Sequence, residues 1–181
     1  MDAALKRRLE ARFGETLLGP VRQRHDETEI RIAPASVPDV LRALHDEPDF
    51  RFELLADLAG VDTGTSMQVV YHFYSTTTAD WLRVIADGLP REDPRVPSIT
   101  FLWRGAEWME REAYDMFGII FEGNRDLRRI YMPPDYTSFP LRKDFYLADD
   151  AARSPGGGVR SMEQPHAPLA PGKALVRRVR A

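Results

Sequence analysis

Residues 51–89 read RFELLADLAGVDTGTSMQVVYHFYSTTTADWLRVIADGL. Three apolar runs, RFELLADL, MQVVYHFYS and WLRVIADG, are separated by short stretches of Gly, Thr, Ser and Asp, which is the punctuation of successive strands. In the middle run Val69, Tyr71 and Phe73 alternate with Val70, His72 and Tyr74. Side chains along a strand point to opposite faces in turn, so one set faces a core and the other is covered or meets a partner.

Upstream, Leu5, Leu9 and Phe13 recur every fourth residue, with Asp2 placed to cap and Gly14 placed to end a helix over 2–13. VRQRHDETEIRIAP then reads as two short strands around a polar turn near Asp26 to Thr28, with Ile30 and Ile32 on the buried face. Ser36 opens a second helix with Asp39 three residues on, as in a capping box. Val37, Val40, Leu41 and Leu44 make its apolar stripe, and Pro48 stops it. Helix, two strands, helix and three strands predict an α+β fold with the helices packed on one face of a small mixed sheet.

Downstream, the prolines of REDPRVPS end the sheet segment. A longer helix is expected from Ser98 to Phe117, its inner face carrying Leu102, Ala106, Met109, Ala113, Met116 and Phe117. Gly118 suits the left-handed residue that closes a helix. GIIF after it reads as a strand or extended segment. From Tyr131 the chain is rich in proline and aromatics, as in an extended arm. Beyond Ala148 the tail lacks the periodic apolar residues needed to fold alone. The division is therefore a domain over 1–130 and an arm and tail over 131–181 that pack on partners.

Composition narrows the chemistry. Of 181 residues 43% are hydrophobic, enough for a core, while 28 acids against 25 Lys and Arg leave a net charge of −3. A free-standing nucleic-acid binder carries a basic excess, so that class is disfavoured. With no cysteine, disulfides, cysteine nucleophiles, thiolate zinc sites and cysteine-held clusters are all excluded. The charged N-terminus shows no secretory signal, and no apolar run reaches the ~20 residues of a membrane-spanning helix. GGG at 156–158 lacks the lysine and spacing of a phosphate-binding loop, and the serines have no nucleophile-elbow context.

The densest candidate for chemistry is EREAYDMFGIIFEGNRDLRRIY, residues 110–131. Glu110, Glu112 and Asp115 could offer oxygens to magnesium, but no histidine accompanies them, which disfavours zinc and di-iron sites. A simpler reading makes Glu107–Arg111 and Arg111–Asp115 ion pairs on one helix face, each contributing about 0.2–0.5 kcal/mol. Arg125, Arg128 and Arg129 would then pair with acids of that helix or of a neighbouring subunit, to which the planar guanidinium is suited.

EREAYDMFGIIFEGNRDLRRIYMP, continued by FPLRKDFYL, resembles the signature of the 30-kDa subunit family of respiratory complex I, the C subunits of NADH–quinone oxidoreductase. Glu110, Arg111, Glu112, Asp115, Met116, Phe117, Arg128 and Arg129 fall in register with it, Gly118 follows directly, and FELLADLAGVD at 52–62 is similar too. The likeness spans about residues 1–147. Asn124 departs from the pattern, which has histidine or lysine there, so a charged role is not carried to that position.

The resemblance implies a scaffold in the quinone module of the peripheral arm, with no catalytic, cofactor-binding or metal residue of its own. Glu110, Arg111, Glu112, Asp115, Phe117, Gly118, Arg128 and Arg129 become structural and interface residues. Partners implied are the D (49-kDa) and B subunits of complex I, with its I subunit nearby, while FMN, iron–sulfur clusters and quinone sit in those companions. Attachment to the cytoplasmic face of the bacterial inner membrane would be peripheral, through the complex. Two other readings remain open. One is the equivalent scaffold of a membrane-bound hydrogenase, F420H2 dehydrogenase or ferredoxin–plastoquinone complex. The other is a stand-alone magnesium-dependent hydrolase using the acidic helix.

Overall fold

The computed structural model describes residues 3–24 and 27–145. Helix α1 spans Ala3–Phe13 and buries Leu5, Leu9 and Phe13, as their spacing predicts. It closes at Gly14, whose N–H donates to the Glu10 carbonyl at 3.0 Å. Strands β1 (Arg22–Arg24) and β2 (Glu27–Ile32) follow as an antiparallel pair. The capping role expected of Asp2 and the tail from Ala148 onward lie outside the described residues.

Helix α2 occupies Val37–Asp46, with Val37, Val40, Leu41 and Leu44 buried. The expected capping box is absent: Ser36 makes no side-chain cap bond. Its backbone, at φ −84° and ψ −6°, already belongs to a 3-10 turn over Pro34–Ser36, and not to the extended geometry that aims a capping hydroxyl at the helix amides. At the other end Glu47 is extended, as the residue before Pro48 must be.

Strands β3 (Leu54–Asp62), β4 (Met67–Tyr74) and β5 (Trp81–Leu89) form a meander. β3 therefore begins later and runs further than its apolar run suggested. Strand β2 pairs with β5 in parallel, giving a mixed five-stranded sheet ordered β1-β2-β5-β4-β3. By register Ile30, Ile32, Leu82, Val84, Ala86, Val69, Tyr71, Phe73, Leu55 and Leu58 share one face, and all belong to the same buried cluster as the apolar residues of the helices. The described helices thus cover one side of the sheet, the α+β layering expected. Each fully buried Leu, Ile or Phe contributes about 1.5–3 kcal/mol relative to exposure. The opposite face carries a polar lattice. Arg31 bridges Glu29 and Asp87, Gln68 donates to Asp87, and His72 meets Glu27.

The expected helix over 98–117 is shorter. Helix α3 runs Ala106–Phe117, and residues 99–105 are successive turns closed by bonds such as Trp103 N–H to the Ile99 carbonyl at 3.1 Å. Two further strands, β6 (Arg95–Pro97) and β7 (Ile120–Glu122), pair in parallel as a separate ribbon. This ribbon straddles α3 in sequence and sets where its two ends lie. α3 itself rests on β3 at Gly60, where a Cβ would stand 2.6 Å from the Phe117 ring. Only glycine permits that approach.

Candidate functional site

The charged signature does not lie on the surface of α3. Glu110, Arg111 and Asp115 are all buried, whereas Glu112 is exposed. The expected Glu107–Arg111 and Arg111–Asp115 pairs do not form. The reason is position. Ala106, Glu110 and Ala113 follow the helical repeat that faces the core, which turns Glu110 inward, whereas Asp115 lies about half a turn round the helix from Ala106 and is buried beneath residues 129–132, whose donors it takes.

Glu110 sits where β6 and β7 both end. Its Oε1 accepts the Ile99 N–H at 2.8 Å, and its Oε2 accepts the Ser98 hydroxyl and the Asn124 amide, each at 2.8 Å. Burial pushes its carboxyl above the usual range, and these three donors oppose the rise without cancelling it. Asn124 is oriented by its own Oδ1, which accepts the Asp126 N–H at 2.9 Å. A neutral amide therefore fills the place where the resemblance led one to expect histidine or lysine.

Asp115 is held more tightly. Its Oδ2 accepts three successive backbone N–H groups, from Ile130 at 2.9 Å, Tyr131 at 2.6 Å and Met132 at 3.0 Å. Its Oδ1 takes the Arg129 guanidinium at 2.6 Å. Burial alone would raise this carboxyl, but the amides and the guanidinium win and hold it below the usual carboxylate range.

The end of α3 is closed by the segment that follows. A helix leaves its last four carbonyls without intrahelical donors. Here the Tyr114 carbonyl receives the Gly118 N–H at 2.8 Å, with Gly118 in the left-handed conformation at φ 75°. The Asp115 carbonyl receives Arg129 Nη1 at 3.1 Å, the Met116 carbonyl receives the Leu141 N–H at 3.1 Å, and the Phe117 carbonyl receives Arg142 Nε at 2.7 Å. α3 has no basic residue in its own last turn, so the two arginines of the arm supply the positive charge that its negative end favours. The Phe139 ring lies between them, 5.1 Å from the Arg129 guanidinium and 4.7 Å from that of Arg142.

The far end of the arm is fastened to the sheet. Asp62 Oδ2 accepts the Lys143 N–H at 2.8 Å and the Arg91 guanidinium at 2.8 Å, while Oδ1 accepts the Gly64 N–H at 2.7 Å. Burial works to raise Asp62, yet the amides and Arg91 leave it lowered. Residues 131–145 are thus bound to the domain at both ends, across the boundary drawn at 130.

The remaining signature residues divide clearly. Phe117 is half-buried against Gly60. Arg129 is an inward strut. Arg128 is 72% exposed and pairs only with Asp126 among the described residues, at 2.9 Å. Arg111 donates to the Arg128 carbonyl at 3.2 Å, approaches Asp126 at 3.6 Å and lies 4.7 Å from the Trp108 ring centre. Sequence reasoning missed Ser98, Asp62, Arg91 and Arg142. Asp62 and Arg142 fall within FELLADLAGVD and FPLRKDFYL, but the partners that give these four residues their roles are mostly remote in the chain.

Glu110, Glu112 and Asp115 do not converge on a common point: two are inward and filled by donors, and one faces solvent. Among the described residues no group of three or more His, Cys, Asp and Glu is arranged to hold a metal ion. Nor is any described helix long and apolar enough to cross a membrane.

Comparison with known proteins places this arrangement. Residues 30–151 match the profile described as respiratory-chain NADH dehydrogenase, 30 Kd subunit. The C subunit of NADH-quinone oxidoreductase from Roseiflexus sp. (strain RS-1) is 41% identical over 149 residues, covering 81% of this chain and 84% of that protein. The C 2 subunit of the enzyme from Rhizobium meliloti (strain 1021) is 44% identical over 119 residues, 64% of each chain. Among solved structures, the trypsin-resistant fragment of Nqo5 superposes with a TM-score of 0.57 at 30% identity, covering 68% of this chain and 98% of the fragment. A chain of an archaeal respiratory membrane complex, the membrane-bound sulfane sulfur reductase, gives 0.66 at 26% identity, covering 83% and 88%.

Proposed function

The chain belongs to the 30-kDa subunit family of the respiratory-chain NADH dehydrogenase, and from that premise we propose that it is a non-catalytic scaffold subunit of a proton-translocating NADH–quinone oxidoreductase. One observation carries the reading. Of the acids that stand out in the sequence as candidate metal ligands, Glu110 is consumed in holding α3 to residues 98, 99 and 124, Asp115, with Arg129, in holding it to the start of the arm, and Glu112 faces solvent apart from both. A carboxylate that accepts three amides and a guanidinium has no free lone pair aimed at a substrate. What the elbow supplies is a fixed shape.

In this role flavin, iron–sulfur clusters and quinone are carried by companion subunits, and electrons pass through those companions. The D and B subunits are the proposed neighbours, with the I subunit close by. Attachment to the cytoplasmic face of the membrane is through the complex. Glu112 and Arg128, the outward members of the signature, face partners, as does the outer side of the arm.

Purification of the tagged chain from detergent-solubilised membranes tests this. The expected companions are the D, B and I subunits together with a flavin-binding NADH module. Turnover of a substrate by the isolated chain, abolished by Glu112→Gln, would refute it.

The likeness to a chain of the sulfane sulfur reductase favours a second reading, the same scaffold in a related membrane complex with another electron donor. Recovery of a nickel–iron or F420-binding protein, with no NADH module, would establish that version.

A further inference from the structure

Glu110 and Asp115 are both buried acids of α3, but only Asp115 meets a guanidinium. Glu110 is held by a main-chain amide, a hydroxyl and a carboxamide, all neutral. The charges around it are few. On α3 Glu107 lies one turn back, and burial together with that acid opposes ionisation of Glu110. On β4 Tyr71 is wholly buried; burial, and then the nearness of Glu110, push its phenol well above the ordinary range, so it stays neutral. Ser98, Thr100 and Asn124 carry no charge, and Asp126 turns its main-chain amide to Asn124. The neighbouring Arg111 is engaged by the Arg128 carbonyl and lies 3.6 Å from Asp126.

The hydroxyls beside Glu110 suit either of its charge states. Ser98 Oγ lies 2.8 Å from Glu110 Oε2 and 2.9 Å from Thr100 Oγ1, and it accepts the Thr100 N–H at 3.2 Å. A hydroxyl has one hydrogen and two lone pairs, and it rotates to suit its neighbours. With Glu110 ionised, Ser98 donates to Oε2 and accepts from both the hydroxyl and the amide of Thr100. With Glu110 protonated on Oε2, that oxygen donates to Ser98, and Ser98 donates in turn to Thr100 Oγ1. In both states Oε1 keeps the Ile99 amide and Oε2 the Asn124 amide. Neither state leaves a group unpaired, which is what makes a change of charge unfavourable in an interior. Ser98 is 5% exposed and Thr100 is half-buried, so the chain of hydroxyls leads outward.

We propose that Glu110 is a proton-binding site, loaded and unloaded through Ser98 and Thr100. On release the Glu110 proton passes to Ser98 Oγ, the Ser98 hydrogen to Thr100 Oγ1, and the Thr100 hydrogen to water. One proton leaves and Glu110 keeps the negative charge. The site belongs to the chain itself and stands whichever complex receives it.

Carbon-13 NMR of the full chain, labelled at the glutamate side-chain carboxyls, tests it. One signal, lost in Glu110→Gln, should titrate above the others; glutamine copies the protonated acid by donating to Ser98, so that variant keeps its fold. Thr100→Val removes the acceptor that only the protonated state needs. The Glu110 midpoint should therefore fall, and relaxation dispersion of the same carbon should report proton exchange slowed several-fold. Thr100→Ser should restore both. Asn124→Lys sets a cation beside the carboxyl and should also lower the midpoint. Thr100→Ala carries the same expectation as Thr100→Val and replaces it if the valine chain does not fold. A Glu110 signal that titrates with the exposed glutamates overturns the proposal, as does one whose midpoint and exchange are unmoved when the Thr100 hydroxyl is removed.

Discussion

Arg129 reaches back across 14 residues to place Nη1 2.6 Å from Asp115 Oδ1, with both side chains nearly inaccessible. The same nitrogen lies 3.1 Å from the Asp115 backbone carbonyl, and Nη2 donates to the Ser138 carbonyl at 3.2 Å. One guanidinium thus ties a helix end, its own segment and the arm beyond. A buried pair of this kind adds little over a well-packed apolar substitute, but breaking it leaves an uncompensated charge.

Asp115→Asn should therefore destabilise the chain by about 3–5 kcal/mol, because Arg129 loses its counter-charge inside the protein. Urea unfolding measures this. Arg129→Lys keeps the charge but loses the fork that reaches Ser138, and a smaller loss is expected. Equal effects from the two variants would show that geometry at Arg129 does not matter.

Gly118→Ala should cost about 2–4 kcal/mol, from left-handed backbone and from overpacking together. The new Cβ would stand 2.6 Å from the Phe139 ring and 2.8 Å from Arg142 Nη2. Phe139→Ala in the same chain relieves the clash with the ring but neither the Arg142 contact nor the backbone strain. A double-mutant cycle should accordingly be non-additive by at least about 0.5 kcal/mol.

Stability should have opposing pH limbs. Asp62 and Asp115 are lowered in the folded chain, so their stabilisation is complete above the unfolded value of ~3.9 and is lost as pH falls through the folded values. Glu110 is raised, so its contribution is complete below the unfolded value of ~4.3 and declines as pH rises through the folded one. Asp62→Asn should flatten the acid limb and Glu110→Gln the other. Urea midpoints collected between about pH 3 and 8 separate them.

Trypsin should find the arm once its distal clasp is removed. Asp62→Ala deletes the acceptor for the Lys143 amide and for Arg91, while Asp115 still secures the beginning of the arm. Cleavage after Arg142 and Lys143 should accelerate several-fold, with the region before Arg125 still protected. Mass spectrometry of the early fragments decides, and general degradation would mean that Asp62 supports the whole fold.

The sequence was most legible where burial is apolar and periodic. Leu5, Leu9 and Phe13, the α2 stripe, and the alternation around Tyr71 all led to the right elements. It misled where apolar spacing continued past a structural boundary: Leu102 and Ala106 suggested one helix, but the path before Gly105 is a run of turns. The three-residue strands β6 and β7 are too short to show alternation. In the signature the residue types were informative and their partners were not. The i,i+4 spacing of Glu107, Arg111 and Asp115 pointed to surface ion pairs, yet the donors Asp115 finds are main-chain amides up to 17 residues away. Only the folded arm brings them there.

Asp115 grips peptide groups, and a peptide group is the same whatever side chain it carries. Ile130, Tyr131 and Met132 are therefore interchangeable in identity as far as this anchor is concerned, with proline alone forbidden because it lacks the hydrogen. Pro133 and Pro134 come immediately after, where no fourth amide is required. The Tyr131 side chain, 61% exposed, is thus released from any duty in the fold and can be re-engineered as a label site without loosening the anchor beneath it.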